Sequence, residues 1–141
     1  MNPSTRDDFL WLMSDEAAPI LTRVQKAFLD RINAVRIAKS LRKLTTPTRS
    51  ALLMEQAQLR IRARKKFGLA DKMFFTRRGL EQSTSEAIAR YKATRFADLQ
   101  SVADICCGIG GDLIAMAHRG DGSSPHQTVG VDQDEHTCLF A

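Results

Sequence analysis

The chain is short of cysteine, short of aromatics and without a long apolar run. Its 141 residues include 3 cysteines, two of them the adjacent pair Cys106 and Cys107. That count does not make a disulfide framework, so a reducing, cytoplasmic setting is the simplest expectation. The pair suits neither C-x-x-C redox chemistry nor a zinc knuckle. Cys138 is remote in sequence, and His118, His126 and His136 show no ligand spacing, so no metal site is expected. Aromatics make up 6% of the chain. Few lie among the basic residues, which argues against single-strand base stacking. No segment approaches a membrane span. The run Phe9-Leu10-Trp11-Leu12-Met13 is too short for a signal peptide, and Asp7 and Asp8 make its approach too acidic. Repeats and low-complexity tracts are missing too. The apolar fraction, 43%, is that of an ordinary globular chain. The length suits one domain, or one small domain plus part of another.

Basic residues are missing from the last third. Arg119 is the only Lys or Arg after residue 95, and the other 20 stand before it. The net charge of +5 therefore divides into a front near +10 and a tail near −5. Residues 21–66 hold thirteen Lys and Arg, offset by Asp30 and Glu55 alone. Such an excess favours a phosphate backbone, with RNA as the expected partner. The densest run, Arg60, Arg62, Arg64, Lys65 and Lys66, supplies the candidate contacts. A solvated helix face is the plainer alternative.

The front reads as helical. Ile20, Leu21, Val24, Ala27, Phe28 and Ile32 recur at helical spacing, and Ala34, Ile37, Ala38 and Leu41 continue it. Thr46-Pro47 starts a helix expected to run to Lys66 or Phe67, with Gly68 as its C-cap. Residues 69–82 read as irregular. Ser83-Thr84-Ser85-Glu86 has capping-box spacing and opens a helix to about Phe96. The pattern then changes to strand, glycine turn, helix, polar loop and strand. The polar loop is Arg119 to His126, and Cys138 to Ala141 start a further helix. The expected division is a basic helical region over 1–97 and a βαβ opening over 98–141.

The richest stretch is Asp104-Ile105-Cys106-Cys107-Gly108-Ile109-Gly110-Gly111-Asp112. It joins an apolar run from Val102 to a helical one at Leu113, Ile114 and Met116. A glycine turn between strand and helix brings backbone N–H groups to a nucleotide-like ligand. A second run, Thr128-Val129-Gly130-Val131, ends in Asp132, where a ribose diol would be gripped. The dinucleotide fingerprint G-x-G-x-x-G needs a third glycine where Leu113 stands. Asp104 either shapes the loop by accepting an N–H or approaches a ligand amine. Asp112 favours the positive end of its helix.

The run D-x-C-C-G-x-G-G-D resembles motif I of class I S-adenosylmethionine-dependent methyltransferases. The phrase from Phe75 to Ala89 resembles the RNA cap guanine-N2, trimethylguanosine synthase-like branch. There a helical segment with a Ser/Thr-x-x-Glu start packs over the cofactor. Leu80-Glu81-Gln82-Ser83-Thr84 and the basic helix are closer still to bacterial methyltransferases with a THUMP-like region. The resemblance implies S-adenosyl-L-methionine as cofactor, held by Asp104, Cys106, Gly108, Gly110, Gly111, Asp132 and Gln133. Asp132 would take the ribose hydroxyls and Gln133 would neighbour the adenine. The family's catalytic Asn/Asp-Pro-Pro-aromatic motif would lie beyond residue 141, so no catalytic residue is assigned.

The expected fold class is α/β: a helical region followed by the first βαβ unit of a truncated Rossmann-like methyltransferase sheet. The expected function is the N-terminal part of an RNA methyltransferase, inactive by itself. The alternative is a non-enzymatic basic helical nucleic-acid-binding module with a vestigial cofactor motif. Two strands cannot bury both faces. A long apolar edge is expected on the first strand, with self-association as a two-fold dimer.

Overall fold

The computed structural model describes residues 3–120 and 127–141. The tip of the expected polar loop, with His126, lies outside the described residues. The chain forms two compact units, Met1–Arg62 and Ala63–Ala141.

The first unit is helical throughout. It holds α1 (Pro3–Leu12), α2 (Ala18–Leu29), α3 (Ala34–Leu41) and most of α4 (Pro47–Ala63). The expected periodicity is buried in part: Leu21 and Val24 on α2, and Ile37 and Leu41 on α3, are core residues, whereas Ile32, past the end of α2, and Ala34 are exposed. Asn33 caps α3 by accepting from the Val35 N–H at 2.8 Å. Thr46 caps α4 through the Arg49 N–H at 3.2 Å, with Pro47 at the first helical position. Arg31, between α2 and α3, takes a left-handed backbone with φ 58°. The Arg49 guanidinium lies over the Trp11 ring and pairs with Asp8.

The second unit is α/β. It comprises α5 (Arg77–Gln82), α6 (Glu86–Ala93), β1 (Ser101–Asp104), α7 (Gly111–Ala117), β2 (Gln127–Gly130) and α8 (Glu135–Phe140). A single tight turn at Thr94–Phe96 follows α6. The strands pair in parallel as expected, from Ser101 opposite Gln127 to Asp104 opposite Gly130. Small side chains let α6 lie close on α7, where Ala89, Ala93 and Ala115 form a core with Met116 packed against it. Arg119 is buried at 3% exposure. Its guanidinium donates to the carbonyls of Leu99, Met116 and Gln127 and to the Thr128 hydroxyl. It ties the exit of α7 to the entry of both strands.

Five sequence expectations are corrected. Helix α4 ends at Ala63, because the Lys66 and Phe67 N–H groups both return to the Ala63 carbonyl. Gly68 is no left-handed cap: positive φ among the described glycines falls at Gly108, Gly110 and Gly120. Its N–H goes instead to the Glu86 carboxylate at 2.6 Å. That contact also occupies the acid of the expected capping box, and Ser85 caps α6 without a side-chain bond. Residues 69–82 are not wholly irregular. Thr76 accepts from the Gly79 N–H at 2.9 Å and starts α5. The edge of β1 is not long and apolar: it spans four residues, with Ser101 and Ala103 exposed. The residue pattern changes at 97/98, whereas the compact units divide at 62/63. Helices α5 and α6 thus pack with the sheet unit.

Candidate functional site

The glycine loop leaves β1 at Asp104 and enters α7 at Gly111. Hydrogen bonding continues past the strands: Val131 N–H donates to the Asp104 carbonyl and Cys107 N–H to that of Val131. The Asp104 carboxylate accepts from the Cys106 N–H at 3.1 Å. Of its two expected roles, loop shaping is the one the geometry gives. Gly108 and Gly110 stand at φ 55° and 78°, a region costly for any residue with a Cβ.

The two glycines face different surroundings. Around a Cβ built on Gly108 there is nothing within 4 Å, whereas one on Gly110 would meet the backbone of Ala141 at 3.2 Å. Gly108 therefore borders open space and Gly110 is a packing position. At the tip of β2, Asp132 accepts from the Gly108 N–H at 3.0 Å with one oxygen and from the Asp134 N–H at 3.0 Å with the other. A carboxylate offers about four lone-pair sites, so each oxygen keeps capacity for a further donor. Asp134 caps α8, and the N–H groups of Thr137 and His136 hold its carboxyl below the usual range.

These elements border a polar cleft of about 520 Å³. Cys106, Gly108, Gly111, Asp132 and Gln133 line it; Asp104 and Gly110 do not. Cys106 is exposed, while Cys107 is buried and its thiol pushed up by that burial. The opposite wall comes from α5 and its exit: Thr76, Arg78, Gly79, Gln82, Ser83 and Thr84. The resemblance places this segment over the site, but gives Arg78 and Gly79 no role. The Thr-x-x-Gly spacing at 76–79 is the signal in the sequence for α5. Asp112 lines the cleft as well. Its Oδ2 accepts from Lys92 at 2.8 Å and Thr84 at 3.1 Å, while its Oδ1 is buried and without a partner. A second cavity of about 590 Å³ shares Gly111, but Leu69, Met73, Ala93 and Ile114 make it largely apolar.

Leu113 does not stand in for a third fingerprint glycine. A Cβ at Gly130 would lie 2.8 Å from the Leu113 side chain. The strand supplies the small residue and the helix the large one, the reverse of the dinucleotide arrangement.

The candidate basic contacts are largely engaged within the protein. Arg60 is buried and, like Arg62, has interaction partners. Arg64 forms a two-point pair with Asp71 at 3.1 and 2.9 Å. The Lys66 ammonium donates to backbone carbonyls, and Lys65 is exposed. By contrast Arg23, Lys26, Arg31, Arg36, Lys39, Arg42 and Lys43 are all exposed, with Asp30 the one acid over residues 18–43. Among the described residues no group of three His, Cys, Asp or Glu side chains could hold a metal ion. None of the described helices is long and apolar enough to cross a membrane.

No family model and no curated protein matches the chain. Among solved structures it is similar to that of a candidate methyltransferase from Porphyromonas gingivalis W83. The match covers 91% of this chain and 31% of the other, with a TM-score of 0.63 and 22% identity. The chain thus spans about a third of that protein's length. The likeness shows the fold alone: helices followed by a parallel βαβ opening.

Proposed function

We propose that this chain carries the cofactor-binding opening of an S-adenosylmethionine-dependent methyltransferase that acts on RNA. One observation carries the reading: Asp132, at the tip of β2, is bonded to Gly108 of a left-handed glycine loop at the edge of a polar cleft. The residues present fit the ligand. Gly108 borders space that a Cβ would fill. The Asp132 oxygens have unused acceptor capacity for a diol. Buried Asp112 Oδ1 is an acceptor awaiting a donor. When bound, S-adenosylmethionine supplies an electrophilic methyl group. The chain's own contribution is to hold and orient it, since positioning dominates such transfers.

Charge supports RNA as the acceptor. Seven exposed cations against one acid over residues 18–43 make a polyanion footprint. That segment, rather than Arg60 to Lys66, is where the phosphate contacts are proposed. The free thiols of Cys106, Cys107 and Cys138 suit a reducing, cytoplasmic setting.

Calorimetric titration tests the cofactor. S-adenosylhomocysteine is expected to bind and NAD to bind more weakly. Tighter NAD binding overturns the methyltransferase reading. RNA binding without S-adenosylhomocysteine binding favours a non-enzymatic basic module.

A further inference from the structure

The Lys66 ammonium donates to the carbonyl oxygens of Leu80 at 2.7 Å, Ser83 at 2.9 Å and Glu81 at 3.2 Å. Those carbonyls belong to the end of α5 and its exit, where a helix leaves acceptors unpaired. A cation there also opposes the negative end of the helix dipole. Helix α5 has six residues, too few to persist without outside contacts. The grip is doubled by the backbone: Glu86 N–H donates to the Lys66 carbonyl, and Gly68 N–H to the Glu86 carboxylate.

What Lys66 holds bears directly on the loop. A Cβ at Gly79 would lie 2.4 Å from the Ile109 side chain, so α5 rests on Ile109 through a bare α-carbon. Ile109 is buried and stands between the two left-handed glycines. Phe67, next to Lys66, packs its ring against Gly111, 3.3 Å from where a Cβ would be.

We propose that Lys66 is a positioning residue of the cleft. It fixes α5 and the Ser83–Thr84 wall against the glycine loop, so that the wall meets the amino-acid end of the ligand. The proposal rests on the S-adenosylmethionine reading for its ligand, though not for the clasp itself.

Lys66→Met keeps the aliphatic stem and removes the three donors. S-adenosylhomocysteine affinity is expected to fall about tenfold, while adenosine, held at the Asp132 end, changes by less than about twofold. Lys66→Arg is expected to recover most of the loss. A merely structural lysine would weaken both ligands alike, and that result overturns the proposal. Amide exchange without ligand gives a second readout. Residues 79–84 of Lys66→Met are expected to exchange faster than in the wild type, with α7 unchanged. Equal exchange at 79–84 overturns the clasp. If wild-type protein binds neither ligand, the cofactor reading fails, and the exchange experiment still decides on Lys66.

Discussion

Over residues 18–43 seven lysines and arginines stand in solvent. Over residues 63–141 some of the same residue types are donors within the unit, while Lys65, Lys72, Arg78 and Arg95 stand exposed as well. Lys66 closes the end of α5, Lys92 binds Asp112, Arg64 grips Asp71 and Arg119 is buried among carbonyls. The stretch 18–43 of the first unit leaves its charge in solvent, and the second unit uses part of its charge on its own backbone and acids. A count of basic residues cannot separate these uses. What separates them is the company each cation keeps: unpaired carbonyls at short helix ends and strand entries draw donors inward.

The contrast breaks most readily at Arg119. Arg119→Met takes the donors of a buried guanidinium away from the carbonyls of Leu99, Met116 and Gln127. Each such loss costs about 1–3 kcal/mol, so the variant is expected to lose about 3 kcal/mol or more in urea unfolding. Arg36→Met, in the first unit, is expected to change stability by less than about 0.5 kcal/mol. Equal effects would mean that the two populations of cation are alike.

Next in size is Asp132→Ala. Removing the carboxylate is expected to weaken S-adenosylhomocysteine binding by about 1–3 kcal/mol, the scale of a charge-assisted hydrogen bond. Titration calorimetry checks it. Unchanged affinity would move the ligand away from the tip of β2.

The two units are then separated by salt. Charge reversal at Arg36, Lys39 and Lys43 is expected to lower RNA affinity and to flatten its salt dependence. The log–log slope should fall by about 0.7–0.9 for each phosphate the protein no longer neutralises. Reversal at Arg64 is expected to leave that slope alone, because its guanidinium is engaged by Asp71. A larger drop in affinity at Arg64 would return the footprint to the basic run.

Periodicity and turn chemistry made much of the architecture legible. Leu21, Val24, Ile37 and Leu41 announced their helices, and Thr46-Pro47 announced the start of α4. The glycine loop and Asp132 were legible because strand, turn, helix and acid come in a fixed local order. What escaped was set by partners far apart in sequence. The acid of the expected capping box, Glu86, is taken instead by the Gly68 N–H, eighteen residues before it. Helix α5 depends on Lys66, fourteen residues before Leu80. Arg119 stands at the head of the expected polar loop in an acidic tail, and its burial follows from carbonyls at Leu99 and Gln127. Local pattern carries no information on such pairings.

The smallest effect concerns an acid and sharpens the same contrast. Glu86 accepts from the Gly68 N–H and pairs with Arg90, and these contacts lower its carboxyl from the ordinary value. A group whose pKa is lowered by folding stabilises the fold above its unfolded pKa and loses that contribution as pH falls through the folded value. Glu86→Gln is therefore expected to lower stability near neutral pH by about 1 kcal/mol or less, since the side chain is about a third exposed. The gap between wild type and variant is expected to close as the solution is acidified through and below the carboxylate range. Thermal melts of both proteins from neutral to acid pH read it directly. Taking the difference removes the other carboxylates, which titrate in both. A gap that stays constant with pH would show that the contact works by shape alone. It would also show that the charge of Glu86, unlike that of Lys66, is not part of what holds α5 and α6 in place.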